Sequence, residues 1–156
     1  MEGVVVSINI SDKKGVRKKE VPSVILKEQY GIEGDAHASK DWHRQVSLLS
    51  MESIGKMVEK GLDVGPGDFA ENITIRGIDI TTLPIGTKMV IGEDVEIEIT
   101  QLGKVCHNRC AIFYQAGDCV MPKEGVFAKV LKGGRIKKGD VIKVLDYDKS
   151  VSSNIK

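Results

Sequence analysis

The chemistry of this chain starts with its thiols. All three cysteines lie in one stretch, and two of them bracket the run Cys106-His107-Asn108-Arg109-Cys110, with Cys119 further on. A thiolate is a nucleophile, a soft metal ligand and a carrier of sulfane sulfur, and an electropositive setting favours it by lowering the thiol pKa. Lys104, His107 and Arg109 are sequence neighbours that can supply that setting. Free cysteine is often a small buried residue with no further role, but three in one loop point to work for at least one of them. Zinc is an intermediate reading: Cys106, Cys110, Cys119 and His107 add up to four ligands. The spacing fits poorly, because zinc sites usually carry tightly paired cysteines.

Three other segments bring polar groups to glycine-rich turns. Gly34-Asp35-Ala36-His37, followed by Trp42-His43-Arg44-Gln45, offers a carboxylate, two imidazoles and a guanidinium. Such a loop can bind an anion or move a proton. The plainer alternative is a turn in which Asp35 bonds its own backbone and His43 is exposed. Gly65-Pro66-Gly67-Asp68-Phe69-Ala70-Glu71-Asn72 pairs glycines that permit close backbone approach with an acceptor and an amide. It is not a P-loop, since the Gly-Lys-Ser/Thr ending is missing, and a tight turn into a strand explains it equally well. Gly125-Val126-Phe127-Ala128, with Gly133-Gly134, reads as a helix start with free backbone N–H groups, for which ordinary packing of a capped helix is the plainer explanation.

The elements that must position these groups are mostly short strands. Val4 to Ile10, Val21 to Leu26, Gln45 to Leu49, Phe69 to Arg76 and Val141 to Leu145 are rich in valine and isoleucine. Lys88 to Ile91 and Val95 to Thr100 flank Gly92-Glu93-Asp94, a hairpin signal. In the second of these, Val95, Ile97 and Ile99 alternate with Glu96, Glu98 and Thr100, so one face is buried. The strand leads directly into the cysteine segment, and a rigid element can therefore aim a thiol. Ser50 is placed to cap a helix with Met51, Ile54, Met57 and Val58 on one face, ending at Gly61. The segment 123–132 predicts a second helix, with Val126, Phe127, Val130 and Leu131 to one side and Gly133-Gly134 as its stop. The expected fold is mainly β: a β-rich barrel or closed sheet with two or more short helices, covering residues 1–146, and a polar tail over 147–156.

Composition narrows the function. The 156 residues carry 23 Lys plus Arg against 22 Asp plus Glu, a net charge of +1, and only 4 % are aromatic. Whole-protein steering of nucleic acid or an anionic membrane is therefore not expected, and stacking platforms for single strands are scarce. No apolar run approaches the roughly 18 residues of a membrane helix. The N-terminus lacks the features of a signal peptide, and with an odd cysteine count the expectation is a cytoplasmic protein with reduced thiols.

Taken in order, these segments resemble the MOSC domain, named after the C-terminal domain of molybdenum cofactor sulfurase. The matching stretches are Gly34-Asp35-Ala36-His37-Ala38, then His43 to Leu49, then Gly67-Asp68-Phe69-Ala70-Glu71-Asn72-Ile73-Thr74 and the Ile85-Gly86 turn. Val105-Cys106-His107 and the stretch from Gly125-Val126-Phe127-Ala128 to Gly139-Asp140 complete the set. Each motif alone is weak; their order and spacing over about Val4 to Val144 make the set specific.

The resemblance implies a β-rich barrel and a protein that handles the molybdenum cofactor, molybdopterin, or its sulfur. The family's cysteine falls on Cys106, as persulfide carrier or molybdenum ligand. Its histidine falls on His37, its arginine on Arg44, and its Glu-Asn pair on Glu71 and Asn72. Arg44 and Arg109 are then candidates for the pterin phosphate, since guanidinium suits phosphate geometry. Two features depart from the family pattern. Val105 stands where proline is common, and Cys110 and Cys119 are additional, which leaves a redox or metal role open for them.

A chain of 156 residues has no room for a fused pyridoxal-phosphate desulfurase. A separate cysteine desulfurase or a molybdoenzyme is therefore the expected donor or acceptor partner. Two alternatives stay open. One is a molybdenum-dependent reductase of N-hydroxylated substrates, which needs a separate electron donor because no flavin or iron–sulfur signature is present. The other is a zinc or thiol module that binds another protein.

Overall fold

The computed structural model describes residues 1–13, 16–103 and 124–145. Eleven strands occur among them: β1 (Glu2–Ile10), β2 (Lys19–Val21), β3 (Ser23–Lys27), β4 (Gly31–Ile32), β5 (Val46–Ser50), β6 (Ile73–Arg76), β7 (Lys88–Ile91), β8 (Val95–Leu102), β9 (Val126–Lys132), β10 (Gly134–Lys137) and β11 (Val141–Val144). One α-helix, α1 (Met51–Glu59), and one 3-10 turn (Ile80–Thr82) accompany them.

Seven strands close into a barrel in the order β1-β11-β7-β8-β9-β5-β6, with β6 returning to β1. The closing seam is antiparallel, pairing Glu2 with Lys143 and Val4 with Val141. The β5–β6 pair is parallel, and α1 lies in the connection between them, as a parallel crossover requires. β2 extends the sheet beyond β1, while β10, β3 and β4 form a small second sheet.

Alternation along the strands sends one set of side chains into the barrel. Val5, Ile8, Leu48, Ile73, Ile75, Met89, Ile91, Ile97, Ile99, Val126, Ala128, Val130 and Ile142 make one continuous core. Such a barrel is filled by side chains and leaves no lumen for a ligand, so any site must be built on its rim or outer face. Register shifts in β1 between Val5 and Ser7, and in β8 between Ile99 and Gln101, bend the sheet. With this shift Val5 and Ile8 both enter the apolar core, while Ser7 and Asn9, also buried, bond each other, and Asn9 bonds Asn72 and Thr74.

A second apolar cluster lies outside the barrel: Leu49, Ile54, Met57, Leu62, Phe69 and Phe127. The Ser50 hydroxyl caps α1 by accepting from the Ser53 amide, and the helix stops at Lys60, one residue before Gly61. Its buried face carries Ser53, Ile54 and Met57, while Val58 is half exposed.

The helix expected over 123–132 is instead strand β9 from Val126. A helix there would bury a single stripe. As a strand, the segment sends Val126, Ala128 and Val130 into the barrel and Phe127 outward into the second cluster. It also pairs with β8 on one side and β5 on the other. Without it, two strand edges would lose their backbone partners, so tertiary pairing overrides the helical spacing. Pro22 divides the apolar run 21–26 into β2 and β3, since proline offers no ladder N–H.

Candidate functional site

The Gly34-to-His37 segment closes on a buried ion pair. Asp35 and Lys18 both have 0 % side-chain exposure, and Lys18 Nζ lies 2.8 Å from Asp35 Oδ1. The same ammonium donates to Ser11 Oγ at 3.0 Å and meets His37 Nδ1 at 3.1 Å. Asp35 also accepts from the Ser11 amide at 3.1 Å and from the His37 amide at 3.0 Å. The self-bonding turn and the charged cluster are thus the same object. Burial alone would raise the Asp35 pKa. The Lys18 ammonium, at hydrogen-bond distance, and the His37 amide outweigh burial and hold this carboxyl far below its ordinary value.

Lys18 also ties this cluster to the second motif, because its backbone N–H donates to Gly67 O at 2.8 Å. Gly67 has φ +87, and a Cβ there would stand 2.4 Å from Lys18 O, so no other residue fits without displacement. Downstream, Glu71 is fully buried. Its Oε2 accepts from the Gly67 amide at 3.0 Å and from Thr74 Oγ1 at 2.6 Å. Its Oε1 has no partner among the described residues. Burial raises the Glu71 pKa, and the bonds from Thr74 and the backbone amides offset that only in part.

Asn72 is committed on every side. Its Oδ1 accepts from the amide and hydroxyl of Ser47, and its Nδ2 donates to Asn9 O at 3.2 Å. It joins β5, β6 and β1 behind the loop and presents no free polar atom outward.

Arg44 stands just before β5. Its guanidinium lies 4.9 Å from the Trp42 ring centroid and 5.3 Å from that of Phe127, a cation held by two aromatic faces. Its Nε is buried with no hydrogen-bond partner among the described residues. His43 is half-buried rather than exposed, with Nδ1 2.9 Å from Thr100 Oγ1 near the end of β8.

Arg44 and His43 therefore sit against β8 and β9, the two strands that flank segment 104–123. These strands are joined at its root by the Gly103 amide donating to Gly125 O at 2.6 Å. Cys106, Arg109, Cys110 and Cys119 lie outside the described residues. Among the described residues no group of three or more His, Cys, Asp or Glu side chains is arranged to hold a metal.

The structure thus joins the His37 and Glu71 segments through Lys18. It brings Arg44 onto Phe127, which shares an apolar cluster with Phe69 of the Glu71 motif. Sequence reasoning missed Lys18 altogether, and it quoted Trp42 and Phe127 within their segments without giving either a part in building the site. Lys18 sits in Arg17-Lys18-Lys19, a run that looks like any solvated basic stretch, and no local signal marks its middle member as buried.

No helix among the described residues is long and apolar enough to cross a membrane. No curated protein matches the chain. Among solved structures, the fold is similar to the YuaD protein of Bacillus subtilis, with TM-score 0.78 and 18 % identity over 92 % of this chain and 96 % of that one. It is also similar to YiiM of Geobacillus stearothermophilus, with TM-score 0.68 and 19 % identity over 92 % and 75 % of the two chains. YiiM of Escherichia coli matches with TM-score 0.67 and 18 % identity over 94 % and 70 %. The family model of the MOSC domain matches residues 33–143, well over half of the sequence. The chain belongs to the MOSC domain family.

Proposed function

We propose that this protein binds the molybdenum cofactor or carries its sulfur, with Cys106 as the working thiol. The observation that carries this reading is Arg44. A guanidinium clamped between Trp42 and Phe127, with a buried Nε that lacks a partner, is a preorganised receiver for an oxyanion. It lies beside the root of the segment that bears Cys106, so the phosphate of a pterin cofactor and a sulfur ligand can be met by neighbouring parts of the chain. These residues fit the group.

Arg44, with Arg109 as a second candidate, binds the phosphate. His37 faces the ligand from the same 33–45 loop. Glu71 and Asn72 act from behind: they hold the Gly67 turn and the β5–β6 seam in place. Bound through Cys106, the group supplies a redox-active molybdenum centre. As a carrier, the Cys106 thiolate attacks the terminal sulfur of a partner desulfurase's cysteine persulfide. A new S–S bond forms on Cys106, and the partner's cysteine leaves as thiolate. Reduction of an N-hydroxylated substrate is the alternative activity, and it requires a separate electron donor protein.

The test is native mass spectrometry with metal analysis on protein purified anaerobically from a host that makes molybdopterin, beside Cys106→Ser and Arg44→Gln. The expected result is a cofactor or one-sulfur adduct on the wild type that is absent from Cys106→Ser. A cofactor adduct should also fall at least about tenfold in Arg44→Gln, the worth of one or two charge-assisted hydrogen bonds. Undiminished retention in Cys106→Ser overturns the assignment. One equivalent of zinc in place of either adduct would favour the zinc module.

A further inference from the structure

We propose that Lys18 is a positioning residue that makes the outward nitrogen of His37 a fixed hydrogen-bond donor, so that this part of the site receives an acceptor or oxyanion atom of its ligand. The inference rests on reading His37 as ligand-facing.

His37 Nδ1 has two neighbours that demand opposite tautomers. Lys18 Nζ lies at 3.1 Å and Asp35 Oδ2 at 3.7 Å. An ammonium has three protons and no lone pair, so its contact makes Nδ1 an acceptor and leaves the ring proton on Nε2. The carboxylate would do the reverse. It would draw a proton to Nδ1 and turn Nε2 into a lone pair, the arrangement of a general base.

Lys18 wins on distance and on partner count. Its three protons meet three acceptors: Asp35 Oδ1, Ser11 Oγ and His37 Nδ1. Asp35 Oδ2 already accepts from the His37 amide. The ring is 29 % exposed, and no described residue bonds Nε2. The Lys18 backbone is anchored by its N–H donating to Gly67 O, and its buried ammonium is held by those three acceptors. A lysine in a solvated basic run would do none of this. The one here is turned inward, with no side-chain exposure, between exposed Arg17 and Lys19.

The test is nitrogen-15 NMR of the histidine rings at pH 8 on protein free of any ligand, with His37→Gln used to assign the signal. The expected result is a single His37 tautomer protonated at Nε2 in the wild type and in Lys18→Arg, which keeps a donor. Lys18→Met should switch the proton to Nδ1, toward Asp35. If Lys18→Met does not fold, the double variant Lys18→Met/Asp35→Leu removes both charges together, and the fixed tautomer should give way to a mixture. A wild-type ring protonated at Nδ1, or an Nε2–H signal unchanged in Lys18→Met or in the double variant, overturns the proposal. A merely structural lysine would alter stability and leave the tautomer alone. Because the measurement needs no cofactor, failure of the protein to retain molybdopterin would overturn the functional reading and leave the tautomer assignment standing.

Discussion

Asp35→Asn should be one of the most costly near-isosteric changes in this protein. Asp35 Oδ1 accepts from Lys18 and Ser11, and Oδ2 accepts from the His37 amide. An asparagine has one acceptor oxygen, so whichever way its amide is turned, an NH2 group faces a donor. The Lys18 ammonium meanwhile stays buried without a counter-charge. Breaking a buried pair from one side costs about 3–5 kcal/mol, a large share of the roughly 5–15 kcal/mol that holds a domain together. The unfolding temperature should fall by roughly 6–20 °C, at about 2–4 °C per kcal/mol for this chain length.

Urea unfolding followed by circular dichroism reads the loss as a lower midpoint at unchanged slope. The exposed pair Lys27–Glu33, at 3.5 Å, is the control: Glu33→Gln should change stability by under about 1 kcal/mol. Removing both buried charges in Lys18→Met/Asp35→Leu should recover only part of the loss: the uncompensated ammonium is gone, but the Ser11 and His37 amides still lose their acceptor. The pH dependence has a definite sign. The folded-state pKa of Asp35 lies below the ordinary 3.8, so its stabilisation is fully present above pH 3.8 and is lost as pH falls through the folded value. The gap between wild type and Asp35→Asn should therefore be flat from pH 8 to about pH 4 and close only in stronger acid. A loss under about 1 kcal/mol at pH 7 would mean the pair is solvated, and would refute the reasoning.

Glu71 carries the opposite sign: its folded-state pKa is raised above the ordinary 4.5, so its favourable contribution is complete below pH 4.5 and declines as pH rises through the folded value. The urea midpoint of the wild type should thus fall relative to Glu71→Gln between pH 4.5 and pH 8, and a constant difference would contradict the burial argument. Gly67→Ala should lose more stability than Gly86→Ala in thermal unfolding. Both positions have positive φ and pay roughly 1–2 kcal/mol for it, but only the Gly67 methyl would collide with Lys18 O; equal losses would remove the collision from the account. Arg44→Lys should keep stability within about 1–2 kcal/mol, the scale of its two aromatic contacts, yet reduce molybdopterin retention in native mass spectra, since an ammonium cannot reproduce the planar fork.

Much of this molecule is local enough to be legible in one dimension. The alternation Val95-Ile97-Ile99, the Gly92-Glu93-Asp94 turn and the Ser50 cap each depend on neighbours a few residues away, and each is where the sequence places it. The ordered set of motifs around His37, Arg44, Glu71 and Cys106 was likewise enough to reach the MOSC family. What the fold alone decided involves partners distant along the chain. Residues 123–132 have helical spacing, but β8 and β5 each leave an edge that only a strand can satisfy, so Val126–Lys132 became β9. Lys18 looks like surface charge until Asp35, Ser11 and His37 gather round it, and Arg44 becomes an anion receiver only because Phe127 arrives beneath it from 83 positions downstream. Burial and charge pairing are properties of the assembled neighbourhood, and a linear pattern does not carry them.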